Sequence, residues 1–372
     1  MKKIIAVAVV ICLLFAGVLA HQNGGIAAVE NSSGYGDMYE AIYDLHSPDE
    51  IVMRVDGADV SWAEYFYSYY SAAGQVEQYM AYAPYIYGTE INWTDPIEEG
   101  ETMTFADYPA EYALGSCEQI AGVNGFARAL GIGLSEESLQ TYDETVEAYV
   151  QSAGVSTPEE FFALLEENFA NERVFENQVK TSLLQEQCFA ELYGAEGEKV
   201  SDEEAVAFLE EGGYMRVMHI LVMTGENREE EEALAQAEEI AAELAELEGE
   251  ELTAKFAELA EQYNEDSNSE YTFTEGSMVE EFESAAKALG EYGVSEPVKS
   301  SYGYHVILRL PLDPDALTIE DGESGRLMAA EADFSSRFTE YMLGVESEFV
   351  NGFVPPVITD YLKYNEGSEA AY

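Results

Sequence analysis

The hydrophobic pattern of this chain changes period at Tyr214, and the change limits what the chain can fold into. Met215 to Val222 is an apolar, β-rich run without helical spacing, which predicts a buried strand. Glu229 to Leu247 has helical period, with Ala233, Ala237, Ile240, Ala241 and Leu244 on one side, and Leu252 to Tyr263 predicts a second helix. The run Glu229 to Glu232 would complement the dipole at the first helix's N-terminus, so it reads as a cap region rather than a metal site. Tyr271 to Thr274 predicts a short strand, Glu280 to Leu289 a third helix, and Val294 to Lys299 and Gly303 to Leu310 the last two strands. Strand, two helices, strand, helix, strand, strand is the order of an α+β unit with a small four-stranded, mostly antiparallel sheet.

The flanks have helical period. Ile51 to Gly57 predicts a strand running into a turn, and Ser61 caps a helix over Trp62 to Met80, with Glu64 completing a capping box. Aromatic residues occupy more than one face of that helix, and Tyr82, Tyr85, Tyr87 and Trp93 continue the trend through a loop. Two readings stand: a large aromatic core, or a surface that holds unfolded chains. Further helices are predicted over Pro109 to Leu130, Ser135 to Ala153, Thr157 to Leu192 with a break near Asn171, and Ser201 to Glu211, which Gly212 and Gly213 end. Past Asp313-Pro314, Glu323 to Asn351 predicts one long helix, stopped by Pro355-Pro356. The plan is a signal segment over 1–20, a linker over 21–50, a helical domain over 51–212 and the α+β unit over 213–312. A C-terminal helix and tail over 313–372 would pack on the N-terminal domain. The α+β unit is thus inserted between mostly α-helical segments.

With 372 residues, 47% of them hydrophobic, the chain can fill two or three packed units. Asp and Glu number 74 against 16 Lys and Arg, a net charge of −58, which excludes nucleic acid and anionic lipid surfaces as partners. Lys2 and Lys3 precede an uncharged, mostly apolar run from Ile4 to Leu19, and Val18-Leu19-Ala20 suits a signal peptidase. The expectation is export, with cleavage before His21; an uncleaved membrane tether is the alternative. Cys12 follows Val10-Ile11, without the small residue that lipid attachment requires. Cys117 and Cys188 offer one possible pair and read as small hydrophobes. Of four histidines, His21 and His46 lie in the expected linker, while His219 and His305 lie on predicted strands of one small sheet. They are either satisfied core residues or a functional pair. Zinc would need three or four convergent ligands, and neither Cys117 nor Cys188 lies in this segment, so no metal is expected.

Four blocks in this region resemble the parvulin-type (PpiC) peptidyl-prolyl cis–trans isomerases, in the family's order. They are Met218-His219-Ile220-Leu221-Val222, the helix end from Phe256 to Asp266, Gly276 to Ala286 with Met278 and Phe282, and Gly293 to Ile307 with Ser300 and His305. The resemblance covers about a quarter of the chain. It implies that His219 and His305 are paired at the floor of an active site, with Asp266 beside them. Met278 and Phe282 would wall the slot that takes a proline ring. Phe273 and Ser300 complete the substrate side, Ser300 also supporting the histidine network. Catalysis would need no cofactor, and no Ser or Cys stands beside the histidines at the spacing of a nucleophile. Ser267 to Tyr271 is shorter than the family's glycine-rich loop and lacks its leucine. One Arg, Arg228, among acids after the first strand is a poor anion clamp, so neutral or basic substrates are expected. The flanks resemble, in layout only, exported foldases of the PrsA and SurA type. The function implied is an isomerase and chaperone for unfolded secreted proteins with X-Pro bonds, located outside the cytoplasm; the alternative is a binding-only holdase.

Overall fold

The linker expected up to residue 50 ends earlier, because Gly36–Tyr43 forms helix α1. Met38, Tyr39 and Ile42 are buried, and the Tyr43 ring lies 5.0 Å from Phe66. This short apolar stripe packs on a neighbour, which the Gly, Ser and Asn around it conceal. The computed structural model describes residues 36–98, 100, 102–225 and 228–364. The expected signal segment, Cys12, His21 and the linker up to residue 35 lie outside the described residues. Two compact units form: residues to Cys188 together with those from Arg337, and Phe189–Ser336.

In the first unit β1 (Ile51–Val55) turns through Asp56 and Gly57 into β2 (Ala58–Ser61). Both turn residues have positive φ, 48° and 77°, as a tight type I′ hairpin requires, and glycine adopts this at little cost. Sequence reading sees the turn but not β2. Ser61 and Glu64 form the expected capping box at the start of α2 (Trp62–Tyr87). The first half of α2 is core: Trp62, Tyr65, Phe66 and Tyr69 are fully buried. The helix continues past Met80 through Pro84, so Tyr82, Tyr85 and Tyr87 are helical rather than in a loop. Pro84 removes one hydrogen bond in the last turns, and Gly88 closes the helix in the left-handed conformation.

Helices α3 (Tyr108–Leu130), α4 (Glu136–Ser152), α5 (Pro158–Glu166) and α6 (Glu172–Tyr193) follow. The break expected near Asn171 lies between α5 and α6, where Asn171 Oδ1 accepts from the Val174 N–H at 3.0 Å. Cys117 and Cys188 are buried and unpaired.

In the second unit α7 (Asp202–Glu211) has its own Ser201–Glu204 capping box. Then come β3 (Met215–Met223), α8 (Glu230–Leu244), α9 (Gly249–Tyr263), β4 (Glu270–Phe273), α10 (Glu280–Ala288), β5 (Val298–Lys299) and β6 (Gly303–Leu310). The sheet order is β4-β3-β6-β5, with every pair antiparallel. The strand expected from Val294 shrinks to two residues. Pro297 has no N–H to donate, and Ser295 holds Ile307 through its side chain, Oγ accepting from the Ile307 N–H at 2.9 Å.

Helix α11 (Gly325–Met342) begins in this unit, where Arg326 bridges Asp202 at 2.6 Å and Asp315 at 2.7 Å. Besides the segment 213–312, this compact unit contains α7 and the start of α11. The long helix expected to Asn351 stops at Met342. Past Gly344, Ser347–Phe349 is strand β7, antiparallel to β1 with Val55 opposite Ser347. The first unit thus carries a three-stranded sheet, β2-β1-β7.

Candidate active site

Strand alternation sorts β3 and β6 into two faces. Met218, Ile220, Val222, Tyr304, Val306 and Leu308 pack with Ala237, Ile240, Phe256 and Leu259 of α8 and α9. The opposite face carries Val217 and Ile307, which pack with Phe273, Phe282 and Ala286. His219 lies opposite Ile307 and His305 opposite Leu221, so both histidines fall on this second face, two residues apart along the ladder. They are 1% and 4% exposed, and their Nδ1 atoms are 3.4 Å apart.

The ring contacts close the cluster. Phe282 stands edge to face with both imidazoles, at 5.3 Å from His219 and 5.2 Å from His305, and lies 6.0 Å from Phe273. Met278 is half-buried against the same apolar group. Phe282 reaches this position because α10 is short and amphipathic, burying Phe282 and Ala286 one turn apart.

Hydrogen-bond partners assign the tautomers. His219 Nε2 faces two acceptors, the Asn268 carbonyl at 3.1 Å and the Asp266 carboxylate at 3.3 Å, so it carries the proton. His219 Nδ1 is then an acceptor, and His305 Nδ1 donates to it. His305 Nε2, left as an acceptor, receives the Ser300 hydroxyl at 2.7 Å. Ser300 Oγ in turn accepts the Tyr302 N–H at 3.1 Å. Every ring nitrogen is satisfied with both imidazoles neutral.

Burial favours that state. It pushes the His305 pKa down to about 4, with the neighbouring His219 adding to the effect and Asp266 opposing it. Burial also lowers His219, against Asp266 and the Asn268 carbonyl. Below the ordinary histidine value the unfolded chain takes up protons that the folded one refuses. Stability is therefore complete above about pH 6.5 and falls as pH drops toward 4, by up to roughly 3 kcal/mol from His305. The His305 imidazole resonance, assigned by its loss in His305→Asn, should titrate near pH 4; a midpoint near 6.5 would contradict the buried neutral state.

The structure brings His219, Asp266, His305, Ser300, Phe282, Phe273 and Met278 into one cluster. It also corrects one expectation, that no Ser stands beside the histidines, since Ser300 Oγ meets His305 Nε2 at 2.7 Å, in the supporting place that the resemblance gives it. That pair is poorly suited to nucleophilic attack. Ser300 is 8% exposed, and a base with a pKa near 4 holds a serine proton weakly.

Two residues that the sequence does not single out hold Asp266 in place. Asn264 Oδ1 accepts from the Leu221 N–H at 2.9 Å, and its amide donates to the carbonyls of Asp266 and Asn268 at 3.2 and 3.0 Å. This pins the short 264–268 loop to β3. Tyr271 donates to Asp266 Oδ2 at 3.2 Å. The available signal for Asn264 is its place directly after a helix, where Asx side chains bond local backbone. Arg228 is occupied: its guanidinium meets both Glu265 oxygens at 2.6 and 2.8 Å.

Residues 219–310 match the Rotamase family, a PPIC-type PPIASE domain. The chain carries a parvulin-type isomerase domain. Relatives of this parvulin-containing chain include the foldase protein PrsA of Halalkalibacterium halodurans, 34% identical over 180 residues, which are 45% of this chain and 48% of that protein. PrsA of Oceanobacillus iheyensis is 28% identical over 51% of this chain and 61% of that protein. The chaperone SurA of Chromohalobacter salexigens is 42% identical over 25% of this chain and 21% of that protein. The chain thus spans about half the length of the first relative and about three fifths of the second. The crystal structure of PrsA from Bacillus subtilis aligns with 87% of this chain and 93% of its own, at 20% identity and a TM-score of 0.23.

Proposed function

We propose that this chain is an exported peptidyl-prolyl cis–trans isomerase and chaperone that assists the folding of secreted proteins. The observation that carries the reading is the satisfied hydrogen-bond chain from the Asp266 carboxylate through the neutral His219–His305 pair to Ser300, lying against the Phe282 ring. Rotation about an X-Pro bond faces a barrier of roughly 18–20 kcal/mol from partial double-bond character. It needs no bond to be made, only a site that fits the twisted amide better than the planar one.

In this reading Phe282, Met278 and Phe273 hold the proline ring in an apolar slot. His219, Asp266 and His305 act as fixed dipoles that favour the charge shift accompanying loss of amide resonance, and Ser300 orients them. Export rests on Lys2, Lys3 and the run from Ile4 to Leu19, with a tether if that segment is retained. Among the described residues no helix is long and apolar enough to cross a membrane. The second reading, a holdase with a weak isomerase unit, is favoured by the short Ser267 to Tyr271 loop.

A cis–trans assay on short Ala-Pro and Ser-Pro peptides with the whole chain tests the proposal. Acceleration is expected for both, and phosphoserine-proline peptides should be turned over no better, because Glu265 occupies Arg228. No acceleration of any peptide would leave the holdase reading alone, and a clear preference for phosphoserine would overturn the substrate assignment.

A further inference from the structure

Helix α2 buries its first half and, Ala83 apart, exposes the side chains of its last turns from Tyr82 on. Tyr82 is 54% exposed, Tyr85 88%, Ile86 66% and Tyr87 61%. Most of the helix hides its aromatic rings, so this end is a projecting apolar tip. The Tyr79 ring lies 6.2 Å from Tyr87 and 5.6 Å from Phe105, which ties the tip to the loop beyond it.

The charge around the tip has one sign. No Lys, Arg or His falls between Arg54 and Arg128, whereas Glu90 stands exposed just past the Gly88 cap. Aromatic rings in an acidic setting attract cations over their faces. A second copy of the chain is a poor occupant, since each carries a net charge of −58 and lacks cations on this stretch.

We propose that the Tyr82–Tyr85–Ile86–Tyr87 end of α2 is a docking point for unfolded polypeptide segments rich in Lys and Arg. It rests on the chaperone reading above and names the client chemistry. Lysine and arginine side chains would lie over the tyrosine rings while their charge is met by the acidic surround. Apolar neighbours in the client would cover Ile86. No proline is needed, so this binding is independent of the isomerase cluster.

The test uses the full chain and a fluorescent, proline-free peptide of Lys, Leu, Gly and Ser, with a second peptide carrying Glu for Lys. The Lys peptide should bind at least tenfold more tightly than the Glu peptide, and added salt should weaken it. The triple variant Tyr82→Ser, Tyr85→Ser, Tyr87→Ser should lose about tenfold in affinity for it. The corresponding Tyr→Phe triple should retain binding, and both triples should keep wild-type turnover of X-Pro peptides. Unchanged binding by the Ser triple would overturn the docking point while leaving the chaperone reading in place. Absence of binding by the wild type would overturn both. Self-association that the Ser triple abolishes would assign the tip to a second copy and overturn the proposal.

Discussion

In the Gly303→Ala protein the second unit is expected to lose its cooperative fold at temperatures where the unsubstituted chain is native. Gly303 opens β6 with φ at +151°, a backbone conformation that side-chain-bearing residues rarely adopt. A Cβ there would lie 2.2 Å from the Val222 carbonyl oxygen and 2.8 Å from Met223 Cα. Both atoms belong to the backbone of the central strand, which cannot swing aside as a long side chain could. Relief would require β6 to slide off β3, breaking the pairs that set Leu221 opposite His305 and His219 opposite Ile307. A loss of at least about 3 kcal/mol is expected, or roughly 10 °C in Tm. Gly57→Ala is the comparison: its φ is +77° but nothing lies within 4 Å of the added carbon, so only about 1 kcal/mol of strain is expected. Calorimetry on the whole chain reads both, and a Gly303→Ala protein melting within 2 °C of the parent would refute the clash.

Local rules were legible wherever the partners lie within a few residues of each other in sequence. Ser61 with Glu64 and Ser201 with Glu204 form capping boxes in the structure as their spacing predicts. Asn171 marks a helix start through its own side chain. The misses involve partners distant in sequence. The aromatic period from Leu327 runs on through Phe349, but β1 recruits Ser347–Phe349 as an edge strand and overrides it. Helix α1 is short and weakly marked, and it exists because Met38 and Ile42 have a core to enter.

The candidate site follows the same division. His219 and His305 are both readable because each sits on a strongly patterned strand, and antiparallel register places them on one face. Asn264 and Tyr271 escaped notice since their role is to hold Asp266 across a loop, and loop geometry has no period to read. The Ser300 contact to His305, which the resemblance implies, is held by a tight turn, in which the Ser300 N–H donates to the Gly303 carbonyl at 2.8 Å. The shortened loop before β4 does not leave the acid adrift, because Asn264 replaces length with hydrogen bonds.

The largest effect on turnover is expected from Phe282. Its ring is 3% exposed and touches both imidazoles and Phe273 at once. Phe282→Ala removes the apolar wall and leaves a cavity, at a cost of about 3–5 kcal/mol of stability. Loss of activity in that variant alone could therefore reflect loss of fold. Phe282→Leu separates the two effects. Leucine retains most of the buried volume but has no ring face to set against the imidazoles or a proline ring. Its stability should fall by less than about 2 kcal/mol. Turnover of X-Pro peptides should nevertheless drop about tenfold, and further in Phe282→Ala, whereas the exposed Glu231→Ala should leave it unchanged. The His305 titration provides an independent readout. Water entering the Phe282→Ala cavity would lift its pKa from about 4 toward the ordinary histidine value, and leucine should hold it low. A Phe282→Leu protein with parental turnover would show that the ring plays no part in catalysis. If the His305 titration rose in Phe282→Ala while turnover held, the neutral histidine pair would be structural and the isomerase mechanism would have to be sought elsewhere.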